Sequence, residues 1–362
     1  MNRRTLEEEV VETLESILLR VDQSIQPKKN SRNVLFFYEK LLLLIGIKRF
    51  GSPAVKLTCG LFYATVFLAH VLKTSVQIFS GTNSLTLRIF LVVISEILLP
   101  IFLWTSLLKK RFNKDFCTYV EKRIVPIKSW KYYIADLMVF AVILSTIIRE
   151  IFKTEDDWIT PLFSIEPDSS IFVKILKIIL DCLTSFIPKS VFFITGTLYI
   201  TDAFFKSDFV IYFKTIWKNK RMKPKHHEIL QNTHYFVIEL NQLSREIFII
   251  ILHCWIEFLT TIDALTDHPV NTSKVCLEWV LLYAFINRAA EDFLGDVRTF
   301  QKEILTASTR AETEEDTKVR KRASAMPLLT ARQLPLGSEL VFNTSSLLGL
   351  FSVMLYLSKY YP

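Results

Sequence analysis

Long apolar runs separated by short charged stretches set the rhythm of this chain. They fall at 57–79, 87–108, 132–151, 171–214, 230–265, 275–305 and 335–360. As helices rising about 1.5 Å per residue, each can cross a hydrocarbon core of roughly 30 Å. The pattern predicts an all-α membrane protein with seven transmembrane helices. Runs four to six are longer than a bilayer needs; run four alone would extend about 66 Å. Their far ends are polar: Asp202, Lys206 and Asp208, then Glu239, Arg245 and Glu246, then Glu291, Asp292, Asp296 and Arg298. Such extensions predict a cytosolic anchor bundle, joined by a further short helix at 326–334. Pro188 predicts a kink in run four.

Before the first run, Thr5 and Glu8 form a capping box ahead of Leu6, Val10, Leu14, Ile17 and Val21 at helical spacing. This predicts a cytosolic amphipathic helix; with no apolar run after Arg3 and Arg4, no secretory signal is expected. Residues 306–325 are polar and charged, and read as a mobile cytosolic linker. Within it, Arg320 to Ser324 reads either as a basophilic kinase site or as a solvated basic turn. The expected organisation is then 1–55 cytosolic and interfacial helices, 56–215 helices one to four, 216–305 helices five and six with their anchor portions, 306–325 the linker, and 326–362 a cytosolic helix followed by the final span.

Charge orients the chain. The net charge is +8, and most of the 44 Lys and Arg fall in 1–55, 109–131, 206–245 and 298–334. By the positive-inside rule these segments are cytosolic, so the N-terminus is inside and the C-terminus outside. Lys73 counts among the charges at outer ends. The second outer loop is acidic (Glu150, Glu155, Asp156, Asp157, Glu166, Asp168). The basic excess is therefore a topology signal, and nucleic acid is not expected as a partner; the lipid bilayer is. The sequon Asn271-Thr272-Ser273 falls in the third outer loop, a predicted glycosylation site. The expected location is the plasma membrane, as a multi-pass protein.

Candidate chemistry is sparse. Five cysteines are scattered and odd in number, so neither a disulfide framework nor a zinc site follows. Six histidines show no ligand spacing; His70 and His253 stand alone and read as hydrogen-bonded packing residues. Nucleophile elbows and phosphate loops are missing from the sequence. No enzymatic activity, cofactor or metal is predicted.

The last run has one distinctive face. Phe342, Ser345, Gly349, Ser352, Tyr356 and Lys359 recur at helical spacing, while Leu340, Leu347, Leu348, Leu350, Phe351, Val353 and Leu357 occupy the other faces. A spanning helix with a small, polar stripe either packs closely on another helix or borders water.

Three stretches resemble a known family. LLLLIGIKRF at 41–50, ELNQLSREIFIIIL at 239–252 and LLTARQLPLGSELVFNTSSLLGLFSVMLYL at 328–357 resemble, in turn, the element before the first span, the inner end of helix five and the final segment of arthropod gustatory receptors. Length, hydropathy layout and orientation agree over essentially the whole chain. The chain thus resembles a divergent member of the insect chemoreceptor superfamily, gustatory branch. That family's last helix carries Thr-Tyr, five apolar residues, then Gln-Phe. Here Tyr356 matches, Leu355 replaces the Thr, Lys359 interrupts the run and Pro362 stands where the Gln belongs.

The resemblance implies a ligand-gated, non-selective cation channel for taste or another chemical stimulus. It implies a homo- or heterotetramer whose final helices line the pore and whose subunits meet in the anchor domain. Phe342 would then be an apolar gate, with Ser345, Gly349, Ser352 and Tyr356 above it; close helix packing is the other reading of these residues. Each subunit would bind a small molecule among its outer helix halves. Ionisable residues at membrane depth are costly without a partner, so they are the natural candidates: Glu96, Asp181, Lys189 and Glu257, with Thr146, Trp255, Trp279 and Tyr283 as neighbouring walls. The alternative is that Glu96–Lys189 or Asp181–Lys189 are structural ion pairs. Two further classes compete. A G-protein-coupled receptor predicts an outside N-terminus, an outer disulfide and an acidic-Arg-Tyr motif after helix three. A secondary transporter predicts paired repeats with broken helices.

Overall fold

The computed structural model describes residues 53–80, 87–109, 137, 140–141, 144, 171–218, 237–238, 240–267, 269–307, 330–331 and 334–360. The elements are α1 (Pro53–Ser80), α2 (Leu87–Val93), a π-turn (Ile94–Leu98), α3 (Leu99–Lys109), α4 (Ile171–Lys218), α5 (Ser244–Asp267), α6 (Pro269–Ala307), a two-stranded hairpin β1 (Thr330–Ala331) and β2 (Leu334–Pro335), and α7 (Ser338–Tyr360). The described chain is nearly all helical. Among the described residues, three helices contain stretches long and apolar enough to cross a membrane: Pro53–Val76, Phe90–Leu108 and Ile175–Asp208. The 1–52 helices, Thr146 with most of the third run, and the linker including Ser324 lie outside the described residues. Within the third run, Leu137, Phe140, Ala141 and Leu144 are helical and exposed.

α4 is the central rod. Its 48 residues give about 72 Å of helix. From Ile187 to Ala203 nearly every side chain is buried, whereas Ile175, Leu176, Ile178 and Ile179 at its start are exposed. A helix that is apolar all round and buried all round must be enclosed by neighbours. α1, α3, α5 and α6 pack on it. Pro188 lies inside α4 and is buried, so the Thr184 carbonyl has no N–H one turn on.

Contacts fix the helix directions. His70 meets Glu96 while Tyr63 meets Trp104, so α1 is antiparallel to α2 and α3. Phe193 meets Trp279, Ser207 meets Asp296 and Lys214 meets Glu303, so α4 and α6 run in parallel. Tyr283 meets Thr344 while Asn287 meets Gly337, so α7 runs against α6. The tightest approach is at Gly196, where an added Cβ would stand 2.6 Å from Leu282 Cδ1.

Four features differ from the sequence reading. The expected helix at 326–334 is replaced, within 330–335, by the antiparallel hairpin that pairs Thr330 with Pro335 and Ala331 with Leu334. Pro335 cannot donate a helical hydrogen bond, which explains why no helix runs through it. Run five is interrupted at Gln242–Leu243: the Leu243 N–H bonds the Leu240 carbonyl, one residue short of α-helical spacing, before α5 starts at Ser244. Run two carries a π-turn that the hydropathy pattern does not signal. Asn271 lies in the first turn of α6 rather than in a loop.

Candidate functional site

Glu96, Asp181 and Lys189, three of the four ionisable candidates, lie where α1, the π-turn and α4 meet. The π-turn inserts one residue into the ladder, freeing backbone carbonyls that an α-helix would occupy. His70 of α1 meets this turn: its Nε2 lies 3.1 Å from the Glu96 carbonyl oxygen and 3.4 Å from the Glu96 carboxylate. The same carboxylate lies 3.9 Å from Lys189 Nζ on α4. One turn along α1, Lys73 donates to Asp181 at 3.0 Å and reaches Ser185 at 3.5 Å. His70, Lys73, Asp181 and Lys189 are all buried. Charges taken out of water need partners, and here they are one another.

The sequence reading named Glu96, Asp181 and Lys189, and offered structural ion pairs as the alternative to a pocket. The Glu96–Lys189 pair forms, loosely. Asp181 pairs with Lys73, which is 5% exposed. Lys73 sits three residues from His70, so both point to one face, the only signal in the sequence that they act together.

A second group forms an aromatic wall. Trp279 of α6 is fully buried against Phe193 at 4.8 Å and meets Phe192 edge-on at 5.8 Å. His253 of α5 stacks on Phe192 at 4.1 Å and meets Trp279 edge-on at 4.2 Å. Its Nε2 lies 3.9 Å from the buried Glu257. Trp255 is half-buried against the same core. Trp279 is thus a core residue. Tyr283 is turned away from this wall: its ring meets Phe258 edge-on at 5.9 Å and its hydroxyl reaches α7. Sequence reasoning missed Phe192 and Phe193, which sit in a uniformly apolar run with no signal to separate them.

α7 touches the bundle along one stripe. Leu340 and Thr344 are buried and Leu348 is half-buried, while Phe342, Ser345 and Gly349 are exposed. Phe342 is 72% exposed, and an added Cβ at Gly349 would meet no atom within 4 Å. Ser345 and Ser352 donate to the carbonyls of Val341 and Leu348 one turn back. Their hydrogens are therefore satisfied without water, while their oxygens keep acceptor capacity. The side chains of Tyr356, Lys359 and Asn271 lie outside the described residues.

Polar pairs staple the far ends of the long helices. Ser106 of α3 donates to Glu246 of α5 at 2.5 Å. Ser207 of α4 donates to Asp296 of α6, and Lys214 pairs with Glu303 at 2.9 Å.

No protein-family model matches the chain, and a search of curated proteins finds no match.

Proposed function

We infer that the chain is one subunit of a ligand-gated, non-selective cation channel of the chemoreceptor type. It spans the plasma membrane seven times with its N-terminus in the cytosol, and four copies, alike or related, surround one pore lined by α7. A small-molecule stimulus binds within each subunit near Glu96, Lys189 and Tyr283. The observation that carries this reading is the free face of α7. A glycine and two serines on a spanning helix call for either a close neighbour or water. Among the described residues, an added Cβ at Gly349 meets nothing within 4 Å, which suits a stripe that serves something outside the protomer. A shared central path uses that stripe in every copy. The stapled inner ends of α4, α5 and α6 suit an anchor that holds the copies together.

The test is whole-cell current and calcium entry in a heterologous cell across a panel of small molecules. The expected result is a stimulus-evoked cation current that Gly349→Trp abolishes while surface expression is retained. An N-terminal tag that stains on intact cells, or a current unaffected by Gly349→Trp, would remove the reading.

A further inference from the structure

Two side chains of α6 hold α7 in place. The Tyr283 hydroxyl donates to the Leu340 carbonyl at 3.2 Å and lies 2.7 Å from the Thr344 hydroxyl. One turn on, Asn287 donates from Nδ2 to the Tyr283 carbonyl at 2.9 Å, and its Oδ1 accepts the Gly337 N–H at 3.0 Å. Gly337 is at φ +134°, in backbone space that other residues rarely adopt, and it leads directly into α7. Tyr283, Asn287, Thr344 and Leu340 are all buried. Among the described residues, these are the side-chain hydrogen bonds that tie α7 and its leading turn to the other helices. The rest of the α7 contact is apolar and confined to one stripe.

We propose that Tyr283 and Asn287 form a latch that sets the rotational position of α7, and that releasing it is the step by which the bundle repositions this helix. The inference rests on the channel reading only for what the movement does. A helix anchored by apolar contacts slides or rotates at small cost, whereas directional hydrogen bonds select one register. Gly337 supplies the hinge, because it alone in the leading turn tolerates large φ changes. Tyr283 also meets Phe258 of α5, so a shift of α5 reaches α7 through this ring. Asn287 positions both ends of the latch at once: it bonds the backbone of Tyr283 and the amide that opens α7.

Hydrogen exchange read by mass spectrometry on the full-length protein in nanodiscs tests the latch without needing a ligand. Tyr283→Phe keeps the ring and removes the hydroxyl; Thr344→Val removes the partner on α7 and stands in should the tyrosine variant not fold. Losing one buried neutral hydrogen bond shifts an opening equilibrium by about two- to tenfold. The amides of 336–344 are expected to exchange faster by that factor in either variant, with α4 and α5 unchanged, and the double variant no faster than the faster single one. Unchanged exchange at 336–344, a rise spread over all helices, or additive effects would overturn the latch. Current evoked by the same panel of small molecules, recorded on the same variants, separates the two claims. Faster exchange with no current in any variant keeps the latch and removes the channel; a stimulus-evoked current with unchanged exchange keeps the channel and removes the latch.

Discussion

Replacing Gly196 by alanine sets two opposite effects against each other. Alanine favours the helix by about 1 kcal/mol over glycine. Against that, the new methyl would stand 2.6 Å from Leu282 Cδ1 and 3.4 Å from Leu282 Cγ and Ile286 Cδ1. Leu282 and Ile286 are fully buried, so the leucine terminus can give way only into a packed interior. Overpacking of this kind costs about 1–3 kcal/mol. The balance favours the clash, and Gly196→Ala is expected to destabilise by about 1 kcal/mol. Leu282→Ala alone opens a cavity and costs about 2–5 kcal/mol. In the double variant the new methyl partly fills that cavity, so the pair is less destabilised than the sum by at least about 1 kcal/mol. Thermal unfolding of the detergent-purified protein, followed by intrinsic fluorescence for all four variants, measures the cycle. Additive effects, or a stabilised Gly196→Ala, would refute the packing of α4 on α6.

Two further expectations follow from buried groups. Lys73→Met breaks the buried ion pair with Asp181, a loss of about 3–5 kcal/mol read in the same unfolding assay. Gly337→Ala has room for its methyl, whose nearest neighbour is Glu291 Cβ at 4.0 Å, yet φ +134° is strained for alanine, so about 1–3 kcal/mol is lost without any clash.

The helices were largely legible in the sequence because apolar run length is a strong signal. α1 and α4 start within a few residues of the expected points, and α2 begins at Leu87 as the hydropathy pattern predicts. The interruptions were not legible. A π-turn adds one residue to a helix without altering its composition, and the turn at Gln242–Leu243 lies in a stretch of ordinary helix formers. Partner choice was legible only in part. Charges at membrane depth must pair, which pointed to Glu96, Asp181 and Lys189, but hydropathy does not say which helix faces which. Lys73 was not foreseen as the partner of Asp181, because its place along the run says nothing about what lies across the bundle. The polar stripe of α7 was read from spacing alone; Phe342, Ser345 and Gly349 are exposed, Ser352 is half-buried, and Leu347, Leu350, Val353 and Met354 off the stripe are exposed as well.

Electron cryomicroscopy of the purified full-length protein in lipid nanodiscs bears most directly on whether the final helix lines an ion path. The expected image is four subunits around one axis, with Phe342, Ser345, Gly349 and Ser352 facing a central water-filled path. A lone protomer, or an assembly whose final helices face only lipid, would contradict it.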